Sequence, residues 1–426
     1  MEILVALLIM IVLILMGIPV CFSLGIAAIF SLLTQGFSLQ LIAQRMYTSV
    51  DQFALLAIPL YIFVGEAMNT GGVTERLFGF CRKMLGHIRG SLGHVNVFAS
   101  VIFAGMSGAA VADAAGLGKV EIEAMTDAGF DADFSAAITA ASSTIGPIIP
   151  PSIPLVLYAV IAEQSVGRLF IGGMVPGLLM AVALCIMVYV ISVKKNYPVD
   201  PKCSFKEKMK SFWKAIPSLM TPIIILVGIF SGAISPTESA AIAAVWALFL
   251  GLVIHRELGV KALFAIAKRT VVQSATVLMM ISTASIMTWL VISSGAPKEF
   301  AAILTSITEN RYVLLLLINI LLLIMGCFLD ATSIITIMVP MLLPIAREIG
   351  IDLVAFGVIV VLNCMIGLIT PPVGMCLYVS ADIAGIPMSK VIKPILIFAI
   401  PLVVVLLLIT AFPQLVTFLP DLIMGA

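Results

Sequence analysis

The sequence predicts an all-α polytopic membrane protein of two inverted-topology repeats, each holding a re-entrant helical hairpin and a broken transmembrane helix. Three observations carry that prediction. Hydrophobic residues make up 62% of the 426-residue chain and charged residues only 11%, too little charge to coat a soluble domain. Several apolar runs exceed the ~20 residues that cross a ~30 Å hydrocarbon core. A shift of 221 positions lays Gly105, Ala110, Gly129, Asp131, Ile145, Gly146, Pro150 and Pro151 on Gly326, Ala331, Gly350, Asp352, Ile366, Gly367, Pro371 and Pro372.

The apolar runs are continuous rather than alternating, which fits helices and not barrel strands. The opening MEILVALLIMIVLILMGIPV lacks a basic n-region and reads as a retained span. Outside the repeat window, LGIAAIFSLL (24–33) resembles SAAIAAVWAL (239–248), and IAQR (42–45) resembles IAKR (266–269). The halves are therefore 1–193 and 215–426, joined by a basic linker at 194–214.

First-half spans are expected at about 2–17, 19–35, 53–71, 134–161 and 171–193, with a hairpin at 92–119. Second-half spans are expected at about 215–232, 236–254, 271–293, 354–382 and 392–415, with a hairpin at 312–345. An amphipathic connector precedes the third span of each half. A hairpin leaves on the side it entered, so each half crosses five times. An odd number makes the halves inverted. With the linker in the cytoplasm, 18 of the 23 Lys and Arg fall on that side. Arg45, Arg168, Lys298, Arg311 and Arg347 fall on the other. This bias supports the layout and puts both termini outside.

The chemistry is expected where the spans break. ASSTIGPIIPPSIPL (141–155) holds four prolines, which remove donors and disfavour helix at each preceding residue. The first helix should end near Ser142–Ile145 and the next begin near Pro151–Ser152. NCMIGLITPPVG (363–374) repeats the arrangement. A helix C-terminus presents carbonyls to a cation, and a helix N-terminus presents amides to an anion. Two such breaks at matching places in inverted repeats point to binding rather than kinks.

The hairpin tips FAGMSGAAVADAAG (103–116) and MGCFLDATSIIT (325–336) complete the site. Hard alkali cations take oxygen ligands. Candidate ligands for an alkali cation are Ser107, Gly108, Ser142, Ser143, Thr144 and Gly146 in the first half. In the second they are Asp330, Thr332, Ser333, Asn363, Gly367 and Thr370. Asp330 lies deep in an apolar segment, where a carboxylate suggests a site. Pro151, Ser152, Pro372, Val373 and Gly374 open the second helix of each pair and are candidates for contact with an anionic substrate. Asp113 lies nearer the hairpin's return end and is expected at the interface. Glu238 in SPTESAA is accounted for by capping from Ser235 or Thr237.

The net charge is +1, which gives no global field for nucleic acid. The seven cysteines form no CxxC pair, and the histidines flank basic loops, so no transition-metal site is expected. No GxxxxGK[ST], HExxH or Ser/His/Asp grouping is present, so neither a P-loop ATPase nor an enzyme is expected, and no cofactor is expected.

FAGMSGAAVADAAGLG, ASSTIGPIIPPSIP, SPTESAA and LITPPVG together resemble the large membrane subunit of tripartite ATP-independent periplasmic (TRAP) transporters over essentially the whole chain. Ala109 departs from the pattern, since relatives often carry a second serine in that tip. The resemblance implies Na+-coupled import of an organic acid, sialic acid or a C4-dicarboxylate, across the bacterial inner membrane. It implies two partners, a periplasmic substrate-binding protein and a small four-helix membrane subunit. It also implies an elevator fold like that of dicarboxylate/Na+ symporters, the hairpins and broken helices moving against a scaffold. A stand-alone Na+/dicarboxylate symporter is the alternative and predicts uptake without any binding protein. A non-transporting scaffold would leave the duplicated breaks unexplained.

Overall fold

The computed structural model describes residues 2–295, 308 and 310–425; Lys298 lies outside them. All regular elements among the described residues are helical. The first half runs α1 (Glu2–Leu15), α2 (Val20–Thr34), α3 (Leu39–Val50), α4 (Ala57–Thr70), α5 (Val73–Leu85), α6 (Ser91–Ser107), α7 (Ala110–Asp127), α8 (Ala132–Ser143), α9 (Ile153–Ala162) and α10 (Val166–Lys195). The second runs α11 (Phe205–Phe230), α12 (Pro236–Phe249), α13 (Val260–Ser293), α14 (Arg311–Gly326), α15 (Ala331–Glu348), α16 (Leu353–Gly367), α17 (Met375–Ile383), α18 (Met388–Ala411) and α19 (Gln414–Met424). Among the described residues, seven helical stretches are long and apolar enough to cross a membrane. The hairpins are α6–α7 and α14–α15, and the broken helices are α8–α9 and α16–α17.

The expected connector and third span of the second half are one continuous helix, α13, of 34 residues. The first half separates α3 from α4 by Asp51 and a 3-10 turn at Phe53–Leu56. Residues 260–293 contain neither Pro nor Gly, so nothing interrupts the helix there. The helix α19, after the last expected span, is also additional; Arg168 on α10 fixes it through Asp421 and the Gly425 carbonyl.

The linker contracts to nine residues because α10 and α11 extend into it. Ser204 and Glu207 form a capping box that starts α11. Ser235 and Glu238 form another at α12, which confirms a capping role for that glutamate. Asp131 accepts from Lys195 Nζ at 2.5 Å and Tyr197 Oη at 2.7 Å, tying the start of α8 to the end of α10. These hydrogen bonds, Lys195's first, hold its carboxyl below the usual carboxylate range.

The two halves clasp each other. The return arm α7 of the first hairpin packs on α17 of the second broken helix. The return arm α15 of the second hairpin packs on α9 of the first. Within the second half, small residues permit a close crossing of the hairpin on its own broken helix. A Cβ on Gly367 would stand 2.6 Å from the Gly326 carbonyl carbon and 2.7 Å from its oxygen, so α14 and α16 cross backbone to backbone. Gly367→Ala forces those backbones apart. The expected cost is about 1–3 kcal/mol, seen as a lower melting temperature of the purified protein in detergent; an unchanged melting temperature would show that the crossing yields.

Candidate functional site

The prolines break the helices where the sequence places the breaks. α8 stops at Ser143, and α9 begins at Ile153 with Ser152 as its N-cap. The Ser152 hydroxyl accepts from Leu155 N at 3.1 Å and donates to the Pro147 carbonyl across the break. α16 stops at Gly367 and α17 starts at Met375, after Gly374 in the left-handed region. The hairpin tips seal the breaks through the backbone. Ile153 N donates to the Gly108 carbonyl at 3.3 Å, and Val373 N donates to the Cys327 carbonyl at 3.3 Å. Gly108 has φ +66, and a Cβ there would stand 2.7 Å from the Pro151 carbonyl oxygen. Only glycine fits that turn and that approach.

Four helix N-termini meet at one cavity of about 350 Å³. α7 lines it through Ala110 and Val111, α9 through Ile153 and Pro154, α15 through Ala331 and Thr332, and α17 through Met375. Gln273 and Thr276 on α13 face them across the cavity, beside Ile62 of α4. No Lys or Arg is among the described lining residues. Each N-terminus carries a partial positive charge; the first amides of α9 are taken by Gly108 and Ser152 and those of α15 by Asp330, so α7 and α17 are the ends left to offer amides to an anion. The residues expected to touch substrate stand beside this lining. Pro151 and Ser152 are buried behind the first tip, and Pro372, Val373 and Gly374 do not line the cavity. Their neighbours Ile153, Pro154 and Met375 do, because the helices start one residue later than the proline pairs suggest.

Each hairpin carries a carboxylate bonded to a serine. Asp330 caps α15, accepting from Thr332 N at 2.9 Å and Ser333 N at 3.2 Å, and takes the Ser333 hydroxyl as well. It lines the cavity with Thr332 and Gly108. Asp113 is not interfacial. It is 2% exposed and accepts from the Ser107 hydroxyl. Its Oδ2 has no partner and lies against Gly146, next to the Ser143 carbonyl. The missed signal was helical rise. Asp113 is three residues past the start of α7, about 5 Å from the tip, too close to reach the membrane surface. Gln273 and Thr276 were missed because single polar residues in a long helix carry no motif.

Other predicted ligands have structural partners. Ser142 donates to Asn96 Oδ1 at 2.6 Å and lies 3.0 Å from Ser100 Oγ, while Asn96 donates to Thr139 at 2.7 Å. Ser143 donates to the Ala140 carbonyl, Thr144 to that of Ala141 and Thr370 to that of Ile366. These hydroxyl protons are committed, but the oxygen lone pairs are still available. Asn363 stands at the position of Ser142 in the shifted repeat. It donates to Asn319 Oδ1 at 2.9 Å, Asn319 donates to Thr410 at 2.9 Å, and the buried Oδ1 of Asn363 has no partner. A polar latch thus fastens each hairpin's incoming helix to its broken helix.

Residues 7–415 match the family described as the DctM component of the tripartite ATP-independent periplasmic transporter. The chain belongs to that family. This TRAP large permease is 45% identical over 410 residues to the sialic acid TRAP transporter large permease SiaM of Vibrio cholerae, covering 96% of each chain. It is 42% identical to the sialic acid TRAP transporter permease SiaT of Haemophilus influenzae, over 98% of this chain and 68% of that one. It is 37% identical to the C4-dicarboxylate TRAP large permease DctM of Pseudomonas aeruginosa, covering 94% of each. Among solved structures, the YdaH transporter of Alcanivorax borkumensis shares the fold, with a TM-score of 0.68, 15% identity and 88% coverage of each chain.

The latch of this permease has a measurable weight. Asn319→Leu takes from the buried Thr410 oxygen its donor and from one Asn363 amide hydrogen its acceptor, while Thr410 still donates to the Leu406 carbonyl. The expected loss is about 1–3 kcal/mol, read as a lower melting temperature; a variant as stable as the wild type would show the latch to be dispensable.

Proposed function

We propose that this permease imports an organic acid together with Na+, with sialic acid the leading candidate and C4-dicarboxylates next. The observation that carries the reading is the cavity where four helix N-termini converge with no Arg or Lys. The similarity to SiaM and SiaT favours sialic acid. The cavity volume is within the range of small-molecule sites.

Na+ is cargo in this scheme. Asp113, with Ser107, Ser143 and Gly146, would hold one ion at the first break. Asp330 and Asn363, with Thr332, Ser333 and Thr370, would hold another at the second. The unpartnered Asp113 Oδ2 and Asn363 Oδ1 support this, since buried oxygens without a donor suit a cation. A monoanion entering an inside-negative cell is opposed by ~2.3 kcal/mol per 100 mV. Two Na+ moving with it reverse the sign.

The cavity is walled on one side by hairpins and broken helices and on the other by α4 and α13. That supports an elevator in which the first group slides against the second. The partners in this reading are a periplasmic binding protein that delivers the acid and a small four-helix membrane subunit. Both termini lie in the periplasm, as the basic cytoplasmic connectors require.

Uptake of labelled sialic acid into proteoliposomes, with the binding protein and small subunit supplied, tests the reading. Removing Na+ should abolish uptake, and Asp113→Ala with Asp330→Ala should lower it at least tenfold. Full uptake without Na+ would sink the coupling. Full uptake without the binding protein would favour the stand-alone symporter.

A further inference from the structure

A second cavity, of about 320 Å³, lies away from the helix breaks, between the start of α8, the end of α10 and the start of α18. Its rim carries Lys195 from α10 and Lys390 and Lys393 from α18. Lys195 is held by Asp131. Lys390 and Lys393 are exposed and make no ion pair among the described residues. The lone carboxylate of the lining, Asp133, accepts from Phe134 N at 2.8 Å. The rim is therefore net positive, and the N-termini of α8 and α18 add to it.

The helical spacing makes the cavity amphiphilic. Lys390, Lys393, Pro394 and Ile397 stand at i, i+3, i+4 and i+7, on one face of α18. Ile191 and Lys195 stand at i and i+4 on α10. Both helices thus place lysine at the rim and an isoleucine one turn deeper. Phe134 and Phe398, with ring centroids 5.6 Å apart, form the floor. Ile397 and Ile400 continue the apolar track on the exposed surface of α18.

We propose that this cavity binds an anionic phospholipid, its phosphate between Lys390, Lys393 and Lys195 and its acyl chains along Ile397 and Ile191. A free phosphate would use the lysines and leave the apolar wall unexplained. A neutral lipid would use the wall and leave the lysines unexplained. Basic pockets between membrane helices on the cytoplasmic side suit anionic headgroups, and the positive-inside layout puts these lysines on that side. The inference is independent of the cargo and the coupling ion.

Native mass spectrometry of the detergent-purified full chain, offered equal phosphatidylglycerol and phosphatidylcholine, tests it. Phosphatidylglycerol should be retained at least fivefold over phosphatidylcholine. Lys390→Gln with Lys393→Gln should remove the preference, and Lys390→Arg with Lys393→Arg should keep it. Lys208→Gln with Lys210→Gln, in the distant start of α11, should leave it unchanged. Millimolar inorganic phosphate should not displace the lipid. Equal retention of the two lipids, an unaffected Gln pair at 390 and 393, an equal loss from the 208 and 210 pair, or displacement by phosphate would each overturn the proposal.

Discussion

Backbone amides and carbonyls freed inside a membrane have no bulk water to bind, and the structure of this permease follows from that constraint. Two helices are broken by proline pairs, and every group exposed there needs a partner. The hairpins supply part of the answer. Gly108 and Cys327, at the two tips, each accept one amide from the residues after the proline pairs. Ser152 bridges its own break. Because the return arm of each hairpin packs on the other half's broken helix, neither half completes its site alone. Within each half, buried asparagines fasten the hairpin's incoming helix to its own broken helix, and in the second half a glycine crossing lets the two meet backbone to backbone.

Much of this was legible in the sequence. Paired prolines, recurring glycines and apolar runs placed both breaks and the second hairpin to within a few residues, since proline acts locally on the backbone, while the return arm of the first hairpin runs to Asp127, past its expected end at 119. Asp330 was legible because a carboxylate stands out in an apolar run. Asp113 was not, since its neighbours are small and the segment reads as an ordinary amphipathic return. Its meaning depends on Ser107 and Gly146, which only the folded hairpin brings beside it. The continuity of α13 was hidden by analogy with the first half, where Asp51 interrupts the same region. The cavity lining was displaced from the proline pairs to the first turns beyond them, which are set by capping geometry.

The hydroxyls near the breaks show how one residue type answers two demands. Ser142 holds a latch through Asn96, while Ser143, Thr144 and Thr370 return their protons to carbonyls three or four residues back. Such back-bonding neutralises the donor, so a group that would repel a cation turns only oxygen outward. Two of the unpartnered buried oxygens among the described residues, on Asp113 and Asn363, mark where this arrangement is left incomplete by the protein itself.

The missing arginine has a consequence for release. A guanidinium in the cavity would grip a carboxylate as firmly on the inner side of the membrane as on the outer. Helix N-termini supply a weaker, diffuse attraction. On the proposed reading, most of the remaining positive charge arrives with the cargo and leaves with it. The site's hold on the acid is then conditional: once the ions escape into a sodium-poor interior, the carboxylate is left facing Asp330 on the cavity wall. Letting go becomes a property of the ionic composition on each side, and no separate unloading device has to be built into the fold.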